Sequence, residues 1–266
     1  MTPLVMGVLN VTPDSFSDGG RFLDHAAAVE HGLAMAAEGA AVIDVGGEST
    51  RPGAEPVGEA EELRRVVPVV EALAAHVRVS IDTTKRAVAA AAVAAGATLV
   101  NDVSASLHTT AAEAGVGWVA MHMKGTPATM QSLAHYDDVV EEVCAFLAAK
   151  ARQAQDAGVT EVWIDPGIGF AKTAAHNLSL LRHLRRLTGL GLPVLVGTSR
   201  KSFLGPLADG ASTDDRLEGS LATAVWAAGH GAAMVRAHHV RATVQAMRLV
   251  AGPADQPNPA DPASAA

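Results

Sequence analysis

Eight times along the chain a short apolar, β-rich run ends in a polar residue, followed by a loop and an alanine-rich stretch. This alternation restricts the fold more than any other feature. The runs fall at 4–9, 41–45, 77–81, 98–100, 118–121, 162–164, 193–196 and 233–235. They are continuously apolar, as in strands of a parallel sheet covered on both faces. Segments 25–38, 59–75, 85–95, 137–157, 175–188 and 214–228 carry apolar faces at helical period. Gly39, Gly96, Gly158 and Gly189 sit where a left-handed residue ends a helix. Asp214 and Asp215 suit a helix N-terminus. Eight β-then-α units predict an α/β fold, a single closed (β/α)8 TIM barrel over 1–250. No glycine-rich dinucleotide fingerprint follows any run, which argues against an open doubly wound sheet.

A length of 266 residues fits one such barrel. Residues 251–266, rich in Pro, Ala and Asp with no periodic apolar face, are predicted to form a disordered tail. The net charge of −8 argues against nucleic acid or an anionic membrane as the main partner. Cys144 is the only cysteine, so no intrachain disulfide can form, and its apolar helical setting predicts a buried, inert thiol. No basic segment followed by an apolar run opens the chain, and no run is long enough to span a bilayer. The expected location is the cytoplasm.

In barrels of this kind the strands deliver their functional groups at their C-terminal ends. The residues there are Asn10, Asp44, Asp82, Asn101, His122, Asp165, Ser199-Arg200-Lys201 and Arg236 with His238. One aspartate after one strand is often only a cap for the next helix. Polar residues after nearly every strand are much harder to explain that way. Asp44, Asp82, Asp165 and Asn101 form an acidic, amide-bearing floor that calls for a donor-rich ring. Arg51, Lys201, Arg236 and His238 suit a phosphate or diphosphate. Two polar loops, 10–20 and 46–54, stand beside this floor as candidate lids, and Phe16 in the first has little reason to be there unless it covers an apolar ligand. The histidines at 25, 31, 176, 183 and 230 lie on helical segments and read as solvated or satisfied. No His/Cys spacing marks a zinc site.

Seven motifs are specific beyond composition: Gly7-Val-Leu-Asn-Val-Thr-Pro-Asp-Ser-Phe-Ser-Asp-Gly-Gly20, Asp44-Val-Gly-Gly-Glu-Ser-Thr-Arg-Pro-Gly-Ala54, Ser80-Ile-Asp-Thr83, Asn101-Asp102, Met121-His-Met123, Asp165-Pro-Gly-Ile-Gly-Phe170 and Ser199-Arg-Lys201. With them the chain resembles the dihydropteroate synthases of the folate pathway from Met6 to about Val250. The resemblance implies a transferase, usually homodimeric. Such an enzyme joins 6-hydroxymethyl-7,8-dihydropterin diphosphate to p-aminobenzoate and releases pyrophosphate, by a dissociative step. It implies that Asp82, Asn101, Asp165 and Lys201 hold the pterin ring, with Met121, Phe170 and Arg236 in the same pocket. Asn10, Arg51, Arg236 and His238 would hold the diphosphate, with Mg²⁺ between Asn10 and its oxygens. Phe16, Thr50, Pro52 and Ser202 would line the p-aminobenzoate pocket. Asp18, Lys201 and Asp82 are the candidate catalytic groups.

Two departures stand out. The family usually carries Arg-Val-His-Asp or Arg-Val-His-Glu after the eighth strand, where this chain has Arg236-Ala-His-His239. Alternation along the strand predicts that Arg236 and His238 face one side and Ala237 and His239 the other. The stretch 104–117 is short for the family and predicts an abbreviated fourth helix. Two rival readings share the acidic floor. One is a barrel that transfers methyl groups from methyltetrahydrofolate, which is not expected to carry both loop motifs and Ser199-Arg-Lys201. The other is a pterin-binding paralogue without turnover.

Overall fold

Each apolar run becomes a strand, and all eight pair in parallel. In the computed structural model, which describes residues 2–12, 24–49 and 56–251, they are β1 (Leu4–Asn10), β2 (Val42–Gly46), β3 (Arg78–Asp82), β4 (Leu99–Asp102), β5 (Gly117–Met121), β6 (Val162–Asp165), β7 (Leu195–Val196) and β8 (Met234–Ala237). The spatial order is β6-β5-β4-β3-β2-β1-β8-β7. A parallel bridge between Ile164 and Val194 joins the two ends and closes the barrel. Around it run α1 (His25–Ala37), α2 (Glu59–Ala74), α3 (Arg86–Ala94), α4 (His108–Ala114), α5 (Val139–Asp156), α6 (Ala174–Arg182), α7 (Leu184–Thr188), α8 (Leu204–Leu207), α9 (Leu217–Gly229) and α10 (Val240–Ala251).

The helix boundaries show local chemistry at work. Gly39, Gly96 and Gly158 take φ of +103°, +111° and +97° after α1, α3 and α5, the left-handed position predicted for them. Gly189 does not: it stays right-handed at φ −71°, and the left-handed residue is Gly191 at +76°. The helix predicted over 175–188 is divided at His183, whose backbone leaves the helical region and whose ring nitrogen meets the carbonyl of Ser179 at 2.9 Å. The helix predicted from 214 begins three residues later. Asp214 and Asp215 lie in a 3₁₀ turn, Thr213–Asp215, and Arg216 at φ −120° separates it from α9. The fourth helix has only 7 residues, short as the sequence implied. Cys144 is buried. Of the tail predicted over 251–266, Ala251 instead ends α10, and 252–266 lie outside the described residues. Among the described residues no helix is long and apolar enough to cross a membrane.

Strand alternation sorts the core into two layers. Outward-facing Val5, Leu9, Ile43, Val45, Ile81, Val100, Ile164 and Val235 pack against the helices. Inward-facing Met6, Val42, Leu99, Val119, Trp163, Leu195 and Met234 fill the barrel as a separate apolar layer. That plug forms the base on which Asp44, Asn101, Asp165 and Arg236 rest, each two positions further along its strand. Met6 is fully buried within it. Met6→Ala is expected to lower the unfolding free energy by ~2–5 kcal/mol, the usual cost of a core truncation. Denaturant titration checks this, and a loss below about 1 kcal/mol would show that the plug repacks without it.

Candidate active site

Above the apolar plug the inward face turns polar. Asp44 is fully buried, and a carboxylate there needs donors. Its Oδ2 accepts from Nε of Arg236 at 2.6 Å and from Nδ2 of Asn101 at 2.9 Å. A second guanidinium nitrogen of Arg236 donates to Oδ2 of Asp82 at 2.9 Å. One arginine from β8 thus bridges carboxylates from β2 and β3. Burial pushes the Asp82 carboxyl up, Arg236 pulls it down, and Asp44 and Glu62 push it up again. Among the described residues, Oδ1 of Asp44, Oδ1 of Asp82 and Oγ of Ser80 find no hydrogen-bond partner.

The facing wall comes from β6 and β7. Oδ1 of Asp165 accepts the backbone N–H of Gly167 at 2.7 Å, and burial pushes this carboxyl up as well. The turn that follows needs its glycines. Gly167 has φ +65°, and a methyl group there would lie 1.9 Å from the carbonyl oxygen of His122. Gly169 has φ +86° and rests against the alkyl chain of Lys201. Nζ of Lys201 lies 3.9 Å from the centre of the Phe170 ring, a cation–π contact. Burial lowers the Lys201 amine to about 8, with Arg236 adding to the effect. Val103, Met121 and Phe170 supply the apolar side. Asp82, Asn101, Asp165, Lys201 and Arg236 supply the polar side of the same pocket.

The structure therefore brings together seven residues singled out for the ring: Asp82, Asn101, Met121, Asp165, Phe170, Lys201 and Arg236. Asp44, read from sequence as part of the ligand floor, lies one layer deeper and is engaged by Arg236 and Asn101. Asn10 ends β1 opposite Gly46, the glycine that packs against Asp82. Ser202 is exposed beside Lys201. His238 meets Oγ of Ser199 through its backbone N–H at 3.1 Å and its Nδ1 at 3.0 Å. His239 accepts from Arg200 at 3.2 Å. His122 does not reach the mouth; it lies against Phe146 and Lys172. Phe16, Asp18, Thr50, Arg51 and Pro52 fall outside the described residues.

Two groups escaped sequence reasoning. Glu62, fully buried on α2, accepts from Thr83 Oγ1 at 2.7 Å and pairs with Lys85, which also grips Glu48 at the root of the second polar loop. Glu62 and Lys85 lie on surface-like helical segments, and only the full burial of Glu62, with Lys85 part-buried against it, reveals them. Lys172 was equally silent, because a lysine two residues after Phe170 looks like a solvated helix start.

Fold and site together define a small-molecule enzyme on a (β/α)8 barrel, with a pocket for a flat, donor-rich ring at the strand C-termini. Residues 6–238 match the family described as "Pterin binding enzyme". The dihydropteroate synthase of Mycobacterium leprae is 53% identical over 260 residues, covering 92% of each chain. A Yersinia pestis dihydropteroate synthase solved in a sulfonamide drug complex superposes with TM-score 0.88 at 46% identity, over 94% of each chain. The Xanthomonas albilineans dihydropteroate synthase in complex with 7,8-dihydropteroate gives 0.83 at 46% identity, covering 92% of this chain and 91% of that one. The chain belongs to the pterin-binding enzyme family and, within it, to the dihydropteroate synthases, which are transferases.

Arg236→Met tests the centre of the site. It leaves two buried carboxylates without their shared cation, a change expected to cost ~3–5 kcal/mol near neutral pH. Asp82 stands raised to about 7 even with the cation in place, and losing Arg236 removes a contribution that lowers it, so it rises further. The penalty is therefore present at high pH and shrinks as the carboxyls protonate. Thermal unfolding of the variant and the parent should converge as pH falls from roughly 9 to about 7, the value Asp82 has in the parent. A deficit independent of pH would refute this account.

Proposed function

We propose that this chain condenses 6-hydroxymethyl-7,8-dihydropterin diphosphate with p-aminobenzoate to 7,8-dihydropteroate and pyrophosphate. The observation that carries the reading is the pocket itself. Carboxylates of Asp82 and Asp165 and the amide of Asn101 line one pocket with a lysine stacked on Phe170. A pterin carries an amino group beside a ring N–H, which suits the bidentate edge of a carboxylate, and a carbonyl, which suits a cation. In this reading Asp165 accepts the two ring donors and Lys201 donates to the carbonyl. Asn101 and Asp82 bind the far edge, and Met121 and Phe170 cover the ring faces.

The reaction breaks the bond between the pterin methylene carbon and the diphosphate oxygen, and the electron pair leaves with pyrophosphate. The arylamine nitrogen then attacks the methylene carbon and loses a proton. Asn10, Arg51, Arg236 and His238 would hold the departing anion. The buried carboxylates and the Phe170 ring stabilise positive charge developing on the pterin. Phe16, Thr50, Pro52 and Ser202 would hold p-aminobenzoate, with Asp18 in the first loop. The loops would exclude the water that otherwise captures the cation.

Mg²⁺ fits this donor set. Asn10 offers one hard side-chain oxygen at the end of β1, beside Gly46 and Asp82. That agrees with an ion held by one or two protein oxygens plus substrate phosphates. When bound it would neutralise charge on the leaving group. A homodimer is part of the proposal, supported by the family resemblance and by exposed Leu207 and Trp226 on α8 and α9. A cytoplasmic location is supported by the single buried cysteine.

Two outcomes check the reading. Asp165→Asn replaces an acceptor oxygen with a donor facing a ring donor. Loss of a bond to a charged group contributes ~1.5–3 kcal/mol and the unpaired donor adds more, so pterin binding should nearly vanish in calorimetry. Near-normal affinity would overturn the assignment. Turnover, followed as pyrophosphate release, should cease in excess chelator and return on adding Mg²⁺. Full activity without divalent metal would remove the ion from the proposal.

A further inference from the structure

Lys172 has its side chain in the protein interior at 4% exposure, just beyond the turn that carries Asp165 and Phe170. Burying an amine there is costly, and burial lowers it to about 7. A lysine kept only for packing is equally served by methionine. What surrounds Nζ is polar: the carbonyl oxygens of Phe170 at 3.0 Å, Gly167 at 3.1 Å and His122 at 3.3 Å, and Nδ1 of His122 at 3.0 Å. Burial and the Lys172 charge hold the His122 ring near 3, so it stays neutral beside the amine. An ammonium has three protons to share among the three carbonyls, and the neutral ring can accept as well in the tautomer that leaves Nδ1 unprotonated.

These carbonyls converge because the turn is bent by left-handed residues, Gly167 at φ +65° and Ala171 at +49°. Alanine has no intrinsic preference for that region, so neighbours must hold it there. Tyr136 helps by donating its hydroxyl to the Ala171 carbonyl at 2.9 Å. The same turn sets the pocket. The Gly167 N–H orients the Asp165 carboxylate, and Phe170 and Gly169 seat Lys201. Its other anchor is the end of β5, where the His122 N–H donates to the Asp165 carbonyl at 3.0 Å.

We propose that Lys172 is a positioning residue of the pterin pocket: its amine, holding the carbonyls of His122, Gly167 and Phe170, locks the turn after β6 in the shape that presents Asp165 and Phe170 to the ring. The proposal rests on the pterin reading of the pocket for its functional consequence, and on the turn alone for its structural one.

The test is Lys172→Met in the full chain, read in two ways. Hydrogen exchange at the amides of 167–170 should speed up by about tenfold or more, with β1 amides unchanged. Affinity for 6-hydroxymethylpterin, by calorimetry on protein shown to be folded, should fall by about tenfold or more. The KM for the pterin diphosphate should rise in parallel while that for p-aminobenzoate stays within about twofold. A variant that only melts earlier, with exchange and pterin affinity unchanged, overturns the proposal. If exchange rises but the parent protein itself does not bind the pterin, the lock stands and the reading of the pocket fails. If Lys172→Met does not fold, His122→Phe keeps the ring contact with Phe146 and removes Nδ1. The same two readings should then move by about threefold, and no change in either refutes the lock.

Discussion

The guanidinium of Arg236 holds the barrel mouth together. It reaches from β8 to Asp44 on β2 and Asp82 on β3, crossing the strand that lies between β8 and β2. Asp44 and Asp82 are interior positions in a closed barrel, and two carboxylates there repel unless a cation stands between them. Arginine suits the task because its planar fork donates along two directions at once and stays charged when buried. Asn101 then completes Asp44 from β4, so strands β8, β2, β3 and β4 are fixed to one another at the level of the ligand. The site's rigidity thus comes from its own charges as well as from the apolar plug beneath.

Much of this was legible in the chain. The strand sites, the barrel and the acidic floor follow from two regularities, apolar runs at the βα period and a polar residue where each run stops, while the ring-binding set is what the family resemblance implies. Strand alternation places Asp82, Asn101, Asp165 and Arg236 on the inner face, and the structure gathers them around one pocket. Boundaries were less legible where side chains compete with the backbone. His183 interrupts a helix whose apolar period is unbroken. Asp214 and Asp215 look like helix starters, yet a 3₁₀ turn closed by the Asp215 N–H on the Ser212 carbonyl takes them.

Depth was the larger blind spot. Asp44 and Asp82 are both acidic ends of strands, and no local pattern says that one lies two residues below the other relative to the mouth. The register does: Gly46, not Asp44, pairs with Asp82. The deeper carboxylate therefore acts as structural counter-charge, and the shallower one borders the pocket. The buried Glu62–Lys85–Glu48 network escaped for the same reason, because its members are 37 residues apart in sequence and meet only when β2, β3 and α2 pack.

The pair His238-His239 shows how a departure from a family pattern can be absorbed. Ala237 is buried toward the helices, and just past the end of β8 His238 meets Ser199, two residues before Lys201. His239 takes the outer side and accepts from Arg200, whose backbone sits at φ +60° immediately before Lys201. Burial and the Arg200 charge hold the His239 ring below its usual value, which keeps it neutral and able to accept. A carboxylate at that position offers the same acceptor with a full charge. The imidazole keeps the hydrogen bond and gives up the ion pair, and the Arg200 backbone is secured separately. Its N–H donates to Ser220 at 3.0 Å, and its carbonyl accepts from Arg216 at 3.2 Å. The turn that presents Lys201 is thus held by several partners, so a change in one of them need not move the pocket.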